Sequence, residues 1–156
     1  MSSPLDFEID FDNDLVSRQS LSIGVVNGSF AKELARARTF GFLRDVEALR
    51  AAGLAKGGSL ENAIVVNGDK IMNEGGLRYD DEFVRHKMLD ALGDLYLAGA
   101  AIIGGFQGTC SGHTTTNMLL KSLFADPEAW KLDVLQGPEA LSAIDGGIYP
   151  ELADTA

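Results

Sequence analysis

His86, Lys87, Asp90 and Asp94 form one group of side chains whose types and spacing could do chemistry; Ser111, Gly112 and His113 form a second. The chain has 2 histidines, one in each group. A histidine and an aspartate four apart share one face of a helix, so an imidazole nitrogen and a carboxylate oxygen could hold one metal ion. Lys87 beside them could bind an anion next to that metal. On spacing alone the commoner reading of such a pair is a hydrogen bond or weak ion pair on a helix surface, because metal sites usually offer three or four ligands. His113 opens a helical pattern, where free backbone N–H groups favour anions and a histidine can act as acid or base near neutral pH. Here too a plainer reading is commoner: Ser111 as an N-cap, with His113 a polar residue of the first turn. Ser111 and His113 are too close in sequence for a Ser-His-Asp triad, and no nucleophile elbow surrounds the serine. The lone cysteine, Cys110, could be a nucleophile or a ligand, but is more often a small packing residue.

These residues must be placed by a few elements. The segment 80–98 is the longest helical pattern. At about 100° per residue, Val84, Met88, Ala91 and Leu95 form one apolar sector. His86, Asp90 and Asp94 form a polar stripe about 120° away by the same geometry, while Leu89, Leu92 and Tyr96 lie on a third side. Such a helix should be covered on several sides, with the stripe facing a cavity. A second helix is expected over 113–124. Before these, 5–11 (LDFEIDF) alternates apolar and acidic residues as a half-buried strand does, and 21–26 continues as a strand. Asn27-Gly28-Ser29 is a turn that could cap a short helix over 30–37. Thr39-Phe40-Gly41 reads as an exposed turn, 42–52 as a helix ending at Gly53, and 63–66 as a short buried strand. Asn67-Gly68 signals a hairpin into 70–73, and 101–107 a further strand. Strands and helices without strict βαβ alternation argue an α+β fold. The expected architecture is a two-layer sandwich, a mixed or antiparallel sheet with helices on one face, with a small inserted βαβ-like excursion around 42–66.

The 156 residues are 46% hydrophobic and 23% charged, which suits one domain with a real core. The net charge of −10 is concentrated at the ends: residues 1–14 carry five acids and no Lys or Arg, and residues 126–156 carry seven acids and one lysine. With no basic cluster, nucleic-acid binding is not expected. No apolar run is long enough for a transmembrane helix, and the acidic first residues do not read as a signal peptide. One cysteine excludes an internal disulfide framework and fits a cytoplasmic, reducing setting. The expected division is a domain over 1–130 and an acidic, loosely packed tail over 131–156.

Four segments together resemble one family. They are 37–44 (ARTFGFLR), 57–66 (GGSLENAIVV), 73–94 (NEGGLRYDDEFVRHKMLDALGD) and 111–113 (SGH). Their order and spacing are similar to the C-terminal half of the zinc-dependent UDP-3-O-acyl-N-acetylglucosamine deacetylases of lipid A biosynthesis, over about 6–130. The resemblance implies that His86 and Asp90 are two of three protein ligands to Zn2+. Lys87 matches a substrate-binding lysine, Asp94 the aspartate that holds the catalytic histidine, and His113 that histidine. Thr39 matches a threonine that stabilises the tetrahedral intermediate, and Phe40 an aromatic beside the substrate. Val46, Ala55, Gly58, Ser59, Ala63 and Val65 would line an apolar passage for the fatty acyl chain.

The implied reaction is zinc-assisted hydrolysis of the substrate's N-acetyl group, releasing acetate. The third ligand, a histidine, and the neighbouring base glutamate belong to the family's N-terminal half. Once His86 and His113 are assigned, this chain has no histidine left for that role. The resemblance therefore implies a partner, the N-terminal half of the same enzyme, whether the chain is an expressed domain, a truncated product or part of a split enzyme. Cys110 stands where the family usually has a lysine that contacts the nucleotide diphosphate. The alternative expectation is a non-catalytic module that binds acyl chains or nucleotide-sugars.

Overall fold

Alternation along the first strand, β1 (Ser3–Ile9), decides which way it faces. Leu5, Phe7 and Ile9 are buried, while Asp6 and Glu8 lie on the opposite face. A computed structural model of the chain describes residues 3–25, 28–53 and 56–134. In it β1 pairs antiparallel with β2 (Gln19–Val25) and parallel with β6 (Phe106–Thr109), giving a mixed sheet of order β2-β1-β6. A second mixed sheet has order β3-β4-β5. Strand β3 (Thr39–Phe42) runs parallel to β4 (Ala63–Asn67), which turns back into β5 (Lys70–Ile71). Helix α1 (Leu43–Ala51) bridges β3 and β4, so the expected βαβ excursion is this second sheet.

Helix α2 (Glu82–Leu95) packs on β1 and β2, on β3 and on α3 (His113–Ala125). Its Val84, Met88 and Ala91 join Leu5, Phe7 and Ile9 of the first sheet and Ile64 and Val66 of the second in one core. Full burial of each of the larger side chains is worth about 1.5–3 kcal/mol. The α+β class holds, with two small sheets and helices between elements of both.

Several elements differ from expectation. The supposed turn at Thr39-Phe40-Gly41 is strand β3. Phe40 and Phe42 alternate inward, and Phe11 packs against both rings, with centroids 5.5 and 6.1 Å away. The strand thus ends where the helix was expected to begin. β1 stops at Ile9, freeing Phe11 for that contact. β6 begins at Phe106 rather than 101, because pairing starts at Leu5↔Phe106, after Gly104 and Gly105; Ile102 and Ile103 stay exposed. The helix expected over 30–37 is a short π-type turn, Phe30–Leu34, closed by the Ala35 N–H donating to the Phe30 carbonyl. α2 tightens into a single 3-10 turn at Tyr96–Ala98, and Tyr96, expected to be covered, is 68% exposed. The 67–68 turn is a hairpin with Gly68 at φ +62°. Beyond β5, Asn73 is buried: it accepts from Val65 N–H and donates to the Leu60 and Ala63 carbonyls, fixing the start of β4. Of the tail, residues 131–134 are exposed and irregular; 135–156 lie outside the described residues.

Candidate active site and metal-donor pair

The polar stripe of α2 is real and faces partly inward. His86 Nε2 and Asp90 Oδ1 are 3.3 Å apart, with their side chains 13% and 18% exposed. Asp90 uses its other oxygen, Oδ2, to accept from Lys87 Nζ at 2.9 Å. On the far side of the imidazole, Nδ1 faces the Ala37 carbonyl at 3.4 Å, and the ring edge meets Phe40 with centroids 6.3 Å apart. Burial pushes the His86 pKa below the ordinary imidazole value, and Asp90 and the Ala37 carbonyl only partly offset this. A neutral imidazole is the form that ligates a metal.

The donor geometry can be tested against a metal. A tetrahedral site with bonds of about 2.0–2.2 Å separates two donor atoms by about 3.3–3.6 Å. The His86–Asp90 separation of 3.3 Å fits two corners of such a site. Among the described residues no group of three or more His, Cys, Asp or Glu could hold a metal ion. The described residues therefore offer a pair of donors at this place.

Two turns along the stripe, Asp94 reaches α3. Its two oxygens lie 2.8 and 3.0 Å from Nδ1 of His113. The aspartate is largely buried and the histidine is 65% exposed, so Nε2 is the ring nitrogen left for chemistry. The histidine is placed by the helix start. Gly112, extended at φ −152°, is the N-cap; Ser111 is not, and no side chain caps this end. Ser111 Oγ is buried, with no hydrogen-bond partner among the described residues. Cys110 precedes it at φ +48°, exposed, its N–H donating to the Glu8 carbonyl. Gly108 allows this packing: a Cβ there would sit 2.5 Å from the Phe7 ring and 2.8 Å from Ser111 Oγ.

The remaining candidates divide by face. Thr39 pairs with Ala63 and Gly41 with Val65, so these residues share the face of the second sheet opposite its buried Ile64 and Val66. Val46 of α1 covers Gly41 on that face, 3.6 Å from where a Cβ would stand. Thr39, Val46, Ala63 and Val65 are thus brought together. Gly58 and Ser59 lie in the exposed loop before β4, where the Ser59 carbonyl accepts from Ala63 N–H. Ala55 lies outside the described residues.

One buried cluster was not anticipated. Glu82 is 0% exposed and accepts from Arg38 Nε at 3.0 Å, Arg38 Nη2 at 3.1 Å and the backbone N–H groups of Arg38 and Arg78. Burial alone would raise its pKa, but these bonds outweigh it and hold the carboxyl below its ordinary value. A signal was available, since Glu82 stands four residues before His86 and extends the 86-90-94 stripe by one turn.

A family model for UDP-3-O-acyl N-acetylglycosamine deacetylase matches residues 2–125. The chain belongs to this deacetylase family. It is 56% identical to the UDP-3-O-acyl-N-acetylglucosamine deacetylase of Marinobacter nauticus over 128 residues, 81% of this chain and 42% of that relative. Identity to the deacetylase of that name from Phenylobacterium zucineum is 52% over 126 residues, 81% and 43% of the two chains. For the Chromohalobacter salexigens deacetylase it is 55% over 128 residues, 81% and 42%. The chain thus spans less than half the length of these deacetylases. Among the described residues no helix is long and apolar enough to cross a membrane.

Proposed function

We propose that this chain supplies the His86–Asp90 donor pair and the Asp94–His113 dyad of a zinc-dependent amide hydrolase. Its substrate would be the UDP-3-O-acyl-N-acetylglucosamine in its relatives' names, and its products acetate and the free amino sugar, a step of lipid A biosynthesis. The observation that carries the reading is the Asp94 carboxylate on Nδ1 of His113, on the same helical stripe that sets His86 and Asp90 3.3 Å apart. When bound, zinc supplies Lewis acidity toward the acetyl carbonyl and the hydrolytic water.

The chain's own residues do the rest. Asp94 holds Nδ1–H, so the protonated imidazole offers Nε2–H to the developing oxyanion or to the departing amine as the C–N bond breaks. Thr39, at the start of β3 on the face it shares with Val46, Ala63 and Val65, is assigned the hydroxyl donor that the resemblance implies. Lys87, whose Nζ donates to Asp90 Oδ2, is the cation placed to bind the substrate beside the donor pair. Phe40 gives an apolar wall, and the face with Val46, Ala63 and Val65 takes the acyl chain, with Ala55, Gly58 and Ser59 assigned to the same passage. The third ligand and the base glutamate come from the N-terminal half, within the length of the relatives that this chain does not span. Exposed apolar side chains on α3 support such a partner: Met118 and Leu119 are 62% and 48% exposed, and Phe124 lines a groove with Leu97, Leu120, Asn117 and Lys121. The reducing setting suited to the lone Cys110 supports a cytoplasmic location.

The second reading, a module that binds the substrate without turnover, is favoured by the two-donor site and by Cys110 at the family's lysine position. Mixing the chain with the N-terminal half of a relative and measuring zinc-dependent acetate release tests the first. Turnover in the mixture supports it, and no release at any ratio supports the second if the chain alone still binds a substrate analogue.

A further inference from the structure

Residues 37–40 meet the first two turns of α2 at three points: Arg38 on Glu82, the Ala37 carbonyl on His86, and the Phe40 ring on both His86 and Phe83. The first two contacts belong to one rigid unit. The peptide between Ala37 and Arg38 is planar, with its N–H and C=O pointing opposite ways. Its N–H donates to Glu82 Oε1 at 2.9 Å, and its C=O faces His86 Nδ1 at 3.4 Å. Glu82 and His86 are one helical turn apart, so a single peptide plane spans that turn.

We propose that the buried Arg38–Glu82 pair is a positioning device for His86. By gripping both the side chain and the backbone N–H of Arg38, the carboxylate of Glu82 fixes the tilt of the 37–38 peptide. The tilt aims the Ala37 carbonyl at Nδ1 as an acceptor for a proton on that nitrogen, with Nε2 turned toward Asp90. Arg38 is anchored from a second side by its Nη2–H to the Gly76 carbonyl at 2.8 Å. Replacing a buried ion pair by apolar side chains is often neutral or favourable for stability, so stability alone is a weak reason for this one. Orientation of a ligating histidine by a carbonyl on its other nitrogen gives the pair a role that apolar residues could not fill. The role rests on the reading of His86 as a ligand, but the orientation itself is read without a bound metal or turnover.

The test is the tautomer of His86, read from long-range 1H–15N spectra of the 15N-histidine-labelled chain with imidazoles neutral. Asp90→Ala removes the carboxylate that competes for the ring. In that background His86 should carry its proton on Nδ1, the reverse of the preference of free histidine. Adding Arg38→Met with Glu82→Leu should return the proton to Nε2, with the His113 signals still those of a ring held by Asp94. Nε2–H in the Asp90→Ala chain, or Nδ1–H persisting in the folded triple variant, overturns the proposal. If the triple variant does not fold, Glu82→Asp in the Asp90→Ala background keeps the charge and shortens the arm. A shift of the His86 nitrogens toward the Nε2–H pattern supports the proposal, and no shift overturns it.

Discussion

The Asp94 carboxylate on α2 holds Nδ1 of His113 at the first position of α3, its two oxygens 2.8 and 3.0 Å away. The contact joins two residues 19 apart in sequence, one on each helix. An aspartate in this position orients the ring and occupies Nδ1, which leaves Nε2 to face the substrate. Asp94→Asn keeps the shape but removes the charge. In the reconstituted enzyme it should lower kcat by about 10²–10⁴-fold, the usual worth of a general acid, with KM little changed. An unchanged kcat would remove Asp94 from the mechanism.

The Arg38–Glu82 pair has side chains only 9% and 0% exposed, so losing one partner leaves the other charge buried. Glu82→Ala should cost about 3–5 kcal/mol in urea unfolding. The exposed Arg18–Glu8 pair, at a comparable 2.8 Å, is the control: Arg18→Ala should leave the midpoint nearly unchanged. Equal losses at the two sites would mean that burial does not set the difference.

The same carboxyl predicts a pH dependence. Its pKa is lower in the folded chain than in the unfolded one, so the unfolded state binds more protons at mildly acid pH. The stabilisation is complete above the ordinary carboxyl range and is lost as pH falls through the depressed folded value. Urea midpoints from neutral pH downward should therefore decline, and Glu82→Gln should decline less steeply. Parallel declines in the two proteins would assign the acid sensitivity to other groups.

How much of this was readable beforehand follows from what periodicity can encode. The 84-88-91 apolar sector and the 86-90-94 polar stripe repeat at the helical period, and the structure keeps both, with Val84, Met88 and Ala91 in the core. The alternation 5-7-9 fixed the inward face of β1 in the same way. β3 escaped because its four residues are too short for a pattern and its partner β4 lies 24 positions away in register, Thr39↔Ala63. β6 was misplaced because Ile102 and Ile103 look like strand residues, yet pairing with β1 begins only at Phe106. The His113 dyad came from family resemblance, since no spacing rule joins positions 94 and 113. Glu82 extends the stripe by one turn and was legible to that extent, but its pairing with Arg38 was not, because a carboxylate gives no sign that its partner is 44 residues upstream.

Packing around the stripe gives a prediction independent of chemistry. Met88 is 1% exposed, whereas Tyr96 at the end of the same helix is 68% exposed. Met88→Ala should destabilise by about 2–5 kcal/mol through lost transfer energy and the cavity left behind. Tyr96→Ala should stay within about 0.5 kcal/mol in the chain alone. A Tyr96 variant as damaging as the Met88 variant would contradict the placement of the core.

The central proposal is that this chain supplies two of the three protein ligands of a metal site. Its most direct test is the zinc content of the chain assembled with the N-terminal half of a relative, dialysed against a weak chelator. One zinc per complex is expected, lost in His86→Ala and in Asp90→Ala while both variants still assemble. Zinc retained in full by both variants would contradict the account.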